Sequence, residues 1–378
     1  MIYLDNNATT RLDPIAFEAM HPFLTESYGN PASRHHSLGC DAARAIERAR
    51  EQVSSVISAD PREIVWTSGA TESDNLALQG IAQSPAYSKR HLVTVATEHR
   101  AVLDPCEFLG KRGFDVTCLG VGSDGRVDLE QLKTVITDQT LMVSVMHANN
   151  ETGVLQPIAE IGDICRERAA LFHTDATQSF SKEPIDVNTM GIDLLSASGH
   201  KIHGPKGIGF LYIRRRDPHV RCEALIHGGG HEHGRRSGTL NVPGIVGMGT
   251  AATISSQIDI RVLRDQLEND IYSGLTGVSI NGHRTKRLGN TTNLSFSGLD
   301  GDILMKRMPD VAVSSSSACT SALLQPSYVL GAMGCSEDRA RSSVRFSLGR
   351  FNTAKEMTTV AARVVETVRA LRSEEQNP

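Results

Sequence analysis

No stretch of this 378-residue chain approaches the roughly 20 consecutive apolar residues of a membrane-spanning helix. Its first residues, MIYLDNNATT, have neither a basic leader nor a long apolar segment. No secretory signal is legible there, and the expected compartment is the cytoplasm. The seven cysteines (Cys40, Cys106, Cys118, Cys165, Cys222, Cys319 and Cys335) form no CxxC pair and are odd in number. In a chain of this size they read as reduced thiols rather than a disulfide framework. There is no basic excess either: the formal net charge is −4, which argues against a general grip on nucleic acid. The run Arg214-Arg215-Arg216 is local and reads as a solvated turn. What remains is an ordinary globular composition, 39% hydrophobic and 22% charged, long enough for two domains of unequal size.

From about residue 60 onward, short apolar runs alternate with amphipathic stretches. EIVWTS, HLVTVA, FDVTCL, LMVSVMHA, ALFHTDA, IDLLSAS and GIGFLYIRR read as strands. ESDNLALQGIA, AVLDPCEFLGKRG, DLEQLKTVI and IAEIGDICRERA read as helices between them. Buried strands separated by helices of this length predict a parallel or mostly parallel sheet covered on both faces, an α/β architecture. Around Val242–Ile271 a helix-compatible stretch takes over, broken near Asp259. TTNLSF, DGDILMKRM, VAVSS, SSVRFSLG and AKEMTTVAARVVETVRALR then suggest a smaller α+β domain. The expected division is 14–258 for the larger domain, with 1–13 and 259–378 forming the smaller one.

Ligands of open α/β sheets bind at the carboxyl ends of the strands, and polar clusters fall at those ends here. TSGATESDN offers backbone N–H groups and the Thr71 hydroxyl to a phosphate. ATEHRA supplies His99, HANNETG supplies Asn149 and Asn150, HTDATQS supplies Asp175 and Gln178, and SGHKIHGPKG supplies Lys201. Each cluster alone has a bland structural explanation. Together they place a phosphate cradle, a flat imidazole, amides, a carboxylate and an amine on one sheet edge. That combination suits pyridoxal phosphate, with Lys201 forming a Schiff base and Asp175 keeping the pyridine nitrogen protonated.

The same motifs, with YLDNNATT, GNPASRHH, TEHRAVLD, GGGHEHGRRSGT, SSACTSA and VRFSLGR, resemble the cysteine desulfurases. The likeness is to the NifS/IscS-type branch of the class-V aminotransferase-like, fold-type-I pyridoxal phosphate enzymes, and it runs nearly end to end. It implies a large domain built on a mostly parallel, seven-stranded-type sheet, and conversion of L-cysteine to alanine with sulfur passing to an enzyme persulfide. It further implies that Lys201 carries the cofactor and moves protons, that Asp175 pairs with its ring nitrogen, and that His99 stacks on the ring. Ala70, Thr71, Ser198 and His200 would hold the phosphate, and Asn150 and Gln178 the phenolic oxygen side. Thr239 would reach the phosphate of a partner subunit, making the protein an obligate homodimer. Arg345 would clamp the substrate carboxylate, with Asn150 beside it, and Cys319 would be the nucleophile that takes the sulfur.

Arg345 follows Cys319 by 26 positions, which fits the long-loop branch. Two residues depart from the family pattern: Ser316 stands where glycine is frequent, and His233 where arginine is. His227, His231 and His233 with Cys222 could be read as a metal site, but their spacing across three glycines matches no standard zinc pattern, and no metal is expected. Other enzymes of the fold, a selenocysteine lyase or an aminotransferase, are the nearest rivals; a turnover-deficient sulfur carrier or scaffold is a rival of another class. The partner expected is a sulfur-acceptor protein. Its pathway (iron–sulfur cluster assembly, tRNA thiolation, cofactor sulfuration or DNA phosphorothioation) stays open.

Overall fold

A computed structural model describes residues 1–255, 260–315 and 326–376. Strand β1 (Ile2–Tyr3) starts the chain. Seven strands follow that build the main sheet: β2 (Ile64–Thr67), β3 (His91–Val95), β4 (Asp115–Leu119), β5 (Thr140–Ser144), β6 (Leu171–Asp175), β7 (Leu194–Ser198) and β8 (Gly209–Ile213). Their spatial order is β2-β8-β7-β6-β5-β3-β4. Strands β7, β6, β5, β3 and β4 run parallel, whereas β8 is antiparallel to both β7 and β2. Every strand except the edge strand β4 is buried along its whole length. Covered faces explain why these strands read as continuous apolar runs rather than alternating ones.

On one face, the helices Ser37–Val56 and Val242–Ser255 close over Trp66, Phe180 and Phe210. On the other, Ala70–Ala82 and Arg100–Gly110 cover Val65, Leu92, Leu194 and Leu211. A second apolar core gathers Leu4, Leu267, Phe296, Phe346, Val360 and Val364. It lies under a four-stranded antiparallel sheet containing β9 (Val278–Ile280), β10 (Thr291–Phe296), β12 (Ser314–Ser315) and β13 (Ser343–Ser347), in the order β12-β13-β10-β9. The short β11 (Val311–Ala312) pairs in parallel with β1, so the N-terminus joins this second core.

The expected α/β fold with a mostly parallel large sheet and a smaller α+β unit is the one found. The helical stretch expected to break near Asp259 ends at Ser255 and resumes as Arg261–Gly274, with 256–259 outside the described residues. One glycine seats the site. A Cβ on Gly209 would sit 2.5 Å from the Ala197 carbonyl oxygen and 2.7 Å from the Gly69 Cα. Only glycine at that position lets the turn before Ala70 settle onto β8.

Candidate active site

The helix Ala70–Ala82 opens directly off the carboxyl end of β2, through Gly69 at φ 153°. No side chain caps it. The N–H groups of its first turn therefore lack intrahelical acceptors and form a positive pole. Ser68, Gly69, Ala70 and Thr71 line one end of a cavity of about 520 Å³. Ser198, His200, Lys201 and Lys206 border the same cavity from the turn after β7. His200 is held neutral: burial first, then the charges of Lys201, Lys206 and Lys182, push its imidazole down to about 4. Its Nδ1 lies 3.1 Å from the Thr9 hydroxyl.

Asp175 is the last residue of β6, and its Oδ1 accepts from Thr177 N at 2.8 Å. Behind it lie two further buried carboxyls, Asp74 and Glu98. Burial, reinforced by the neighbouring Asp175 charge, holds both well above the usual carboxylate range. Of the three, only Asp175 borders the cavity. His99 caps the helix Arg100–Gly110, its Nδ1 accepting from Ala101 N at 3.1 Å, which leaves the ring proton on Nε2. Capping fixes the orientation of the ring at the cavity wall.

Lys201 sits in the single turn Gly199–Lys201 that follows β7. Its Nζ donates to the carbonyls of Asn7 at 2.6 Å and Ala8 at 2.7 Å. Arg345, in the middle of β13, donates through Nη1 to Asn150 O at 2.9 Å and through Nη2 to Asp5 Oδ1 at 2.7 Å. Gln178 Nε2 donates to Asn7 O at 2.9 Å. Four buried polar atoms around the cavity have no hydrogen-bond partner: Asn150 Oδ1, Gln178 Oε1, Thr177 Oγ1 and Arg345 Nε. Buried polar atoms are costly unless paired, so this lining is built for a polar occupant.

Ten of the residues singled out in the sequence therefore line a single cavity: Ala70, Thr71, His99, Asn150, Asp175, Gln178, Ser198, His200, Lys201 and Arg345. Thr239 is exposed and lies outside that cavity. Cys319 and Ser316 fall outside the described residues. Asn149 turns inward instead: its Oδ1 accepts from Glu151 N and Thr152 N, each at 2.9 Å, shaping the loop that presents Asn150. His231 Nδ1 accepts from Gly238 N at 3.2 Å, and Cys222 Sγ packs 3.4 Å from Leu76 O. Among the described residues no cluster of three His, Cys, Asp or Glu side chains is placed to hold a metal.

Sequence reasoning missed Asp5 and the carbonyls of Asn7 and Ala8 that hold Lys201. YLDNNATT stood out as a motif, but nothing local shows that it folds across a lysine nearly two hundred residues away.

The family model for class-V aminotransferases matches residues 2–360. A cysteine desulfurase IscS from Anaeromyxobacter dehalogenans (strain 2CP-C) is 52% identical over 377 residues, covering 98% of this chain and 93% of that one. The chain belongs to the cysteine desulfurases of the class-V aminotransferase family. A solved NifS-like protein superposes with a TM-score of 0.90 at 37% identity, covering 97% of this chain and 99% of the other. SspA in complex with cysteine superposes at 0.82 with 38% identity, covering 93% and 100%. The cysteine desulfurase family is pyridoxal-phosphate dependent. No helix among the described residues is long and apolar enough to cross a membrane.

Proposed function

We propose that this chain binds pyridoxal phosphate in the cavity between Ala70 and Arg345 and uses it to take sulfur from L-cysteine. The observation that carries the reading is the lining itself. An uncapped helix N-terminus stands at one end, Asp175 and a lysine amine in the middle, and orphaned Asn150, Gln178 and Arg345 atoms around them. These residues fit the cofactor. The first-turn N–H groups of Ala70 and Thr71, with Ser198 and His200, would hold its phosphate. Asp175 would keep a proton on the ring nitrogen, His99 would stack on the ring, and Asn150 and Gln178 would border its phenolic oxygen side.

When bound, the cofactor supplies an aldehyde for amino groups and a ring that accepts the electron pair left at the substrate α-carbon. The protein's own groups do the rest. Arg345 binds the substrate carboxylate; its Nε–H is unpartnered and its plane is fixed by Asp5 and Asn150. Lys201 Nζ takes the α-proton and later returns a proton to carbon. The Cys319 thiolate attacks the substrate sulfur. An S–S bond forms as the Cβ–S bond breaks, its electron pair stays with the carbon fragment, and protonation there gives alanine. The sulfur leaves Cys319 for an acceptor protein.

The working unit in this reading is a cytoplasmic homodimer in which Thr239 completes the partner's phosphate site. Its larger domain is 14–258, and its smaller one 1–13 with 259–378; Leu4 packing in the second core supports that division. The reading is tested by alanine release from L-cysteine. With a thiol reductant present to release the persulfide sulfur, native protein should form alanine and sulfide in step and should bind one pyridoxal phosphate per chain, while Lys201→Ala should lose the visible absorbance and the turnover together. Full turnover in Lys201→Ala would sink the assignment.

A further inference from the structure

The segment from His227 to Leu240 contains five glycines, all at positive φ, and two non-glycine residues, Glu232 at 51° and His233 at 57°, share that conformation. Its regular structure is a single turn, Glu232–Gly234. A chain so permissive cannot hold a shape on its own backbone preferences. Two ion pairs hold it.

The first is buried. Arg50, on the helix Ser37–Val56, meets Glu232 in a two-pronged contact, Nη2 to Oε1 at 2.9 Å and Nη1 to Oε2 at 3.0 Å. Both partners also grip the open edge of β2, the strand that leads into the phosphate cradle. Arg50 Nη1 donates to Ile64 O at 2.6 Å, and Glu232 Oε2 accepts from Trp66 N at 2.8 Å. The pair stands where the next strand would be. The second pair grips the turn that leads into the cradle. Arg236 donates to Glu72 through Nε at 2.8 Å and Nη2 at 3.2 Å. The same carboxylate accepts from Ser68 N at 2.8 Å, one residue before Gly69. The arm is thus fastened to both the strand and the helix that meet at its own subunit's cradle.

Thr239 follows Arg236 by three residues, a reach of about 10 Å at most, and it is exposed and outside its own chain's cavity. We propose that Glu232 and Arg236 are positioning residues that act in trans: fastened to one subunit's cradle, they hold Thr239 in register with the partner subunit's phosphate site. This rests on the homodimer reading given above. A purely structural role would damage the subunit that carries the lesion. The trans role damages the other one.

Heterodimers assembled from two differently tagged chains separate these cases. In the first, a native chain is paired with a chain carrying Glu232→Gln and Lys201→Ala, so the only working site receives the altered arm. In the second, a Glu232→Gln chain is paired with a Lys201→Ala chain, so the working site lies in the altered chain and receives a native arm. The dissociation constant of pyridoxal phosphate is read from the lysine-dependent visible band, with alanine release alongside it. The first heterodimer should bind the cofactor at least tenfold more weakly than the second, which should stay within threefold of native. A loss that is equal in both, or larger in the second, overturns the proposal. Arg236→Gln, at the less buried pair, should give the same order with a smaller ratio and serves if Glu232→Gln does not fold. Thr239→Ala in the same two arrangements separates the two readings. If it harms its own chain's site, the composite-site reading fails as well. If it acts in trans while Glu232→Gln and Arg236→Gln act in cis, only the positioning role is refuted.

Discussion

Oδ1 of Asp74 lies 3.6 Å from Nε2 of His173, and neither side chain is exposed to solvent. His173 is also held between two hydroxyls, Ser144 Oγ at 2.8 Å from Nδ1 and Ser196 Oγ at 3.0 Å from Nε2. Burial pushes this imidazole down to about 3 from its ordinary 6.5. Burial, with the Asp175 charge added, pushes the Asp74 carboxyl well above its ordinary 3.8. In the folded pair both shifts favour a single proton on Asp74 rather than on His173. The unfolded chain also carries one between about pH 4 and 6.5, but on the histidine. Equal proton counts give no slope of stability with pH.

Single substitutions should expose the two cancelling slopes. Asp74→Asn leaves a neutral folded histidine against a protonated unfolded one. Its stability should rise with pH, relative to native protein, by about 1.4 kcal/mol per unit between about pH 4 and 6.5. In His173→Gln the folded carboxyl still binds its proton more tightly than the unfolded one, so its stability should fall, relative to native protein, as pH rises above about 4. Urea unfolding at three pH values within the window measures both. Parallel lines for the three proteins would contradict this account of the pair.

Much of this site was legible because most strands of the main sheet are short, largely apolar runs that lead into a polar cluster. Lys201, Asp175 and Asn150 each follow such a run by a few residues at most, and the fold turns that local order into one shared edge. The contacts that orient the site were not legible. Asp5 and Arg345 are 340 positions apart, and Arg50 and Glu232 are 182 apart. A charged residue in sequence does not announce its distant partner. Cys319 was marked by its motif alone.

Arg345 should be a binding residue that a lysine cannot replace. Its guanidinium holds Asn150 O and Asp5 at once and still keeps Nε–H unpartnered, a geometry that needs a planar fork. Arg345→Lys should raise KM for cysteine at least about tenfold, a loss of about 1.4 kcal/mol. Asp5→Ala, which frees the fork to rotate, should also raise KM with kcat largely preserved. Asp5→Asn keeps an acceptor oxygen and should have the smaller effect. Steady-state kinetics decide; an unchanged KM in Arg345→Lys would remove the carboxylate clamp from the mechanism.

Gly209→Ala should loosen the cradle although residue 209 does not line the cavity. The added methyl meets backbone, the Ala197 carbonyl and the Gly69 Cα, neither of which can swing aside as a side-chain tip can. Overpacking of this kind costs about 1–3 kcal/mol. The turn before Ala70 should give first, so the variant should melt earlier and release pyridoxal phosphate faster on dilution. A lower melting temperature with unchanged cofactor release would show that the strain is absorbed elsewhere.

Cys319→Ser should separate cofactor binding from sulfur transfer. Lys201, Asp175 and His99 are untouched, so the purified variant should stay yellow and its spectrum should still respond to added cysteine. Sulfide release should be lost, because a serine hydroxyl is a far poorer nucleophile towards sulfur than a thiolate. The other cysteines are poor substitutes. Burial pushes the Cys106 thiol up to about 12, with Glu98 and Cys118 adding to it, and pushes Cys222 up to about 12 despite Arg235. Cys118, Cys165 and Cys335 are raised for the same first cause. Thiols of that kind hold almost no thiolate at neutral pH. Cys40 lies on the helix Ser37–Val56 with Sγ 3.3 Å from the Arg34 carbonyl, and it does not line the cavity. Mass spectrometry of native protein after brief exposure to cysteine, without reductant, should find one added sulfur on the peptide containing Cys319. Finding it on Cys40 or Cys335 instead, with Cys319→Ser still releasing sulfide at the native rate, would overturn the assignment of the nucleophile.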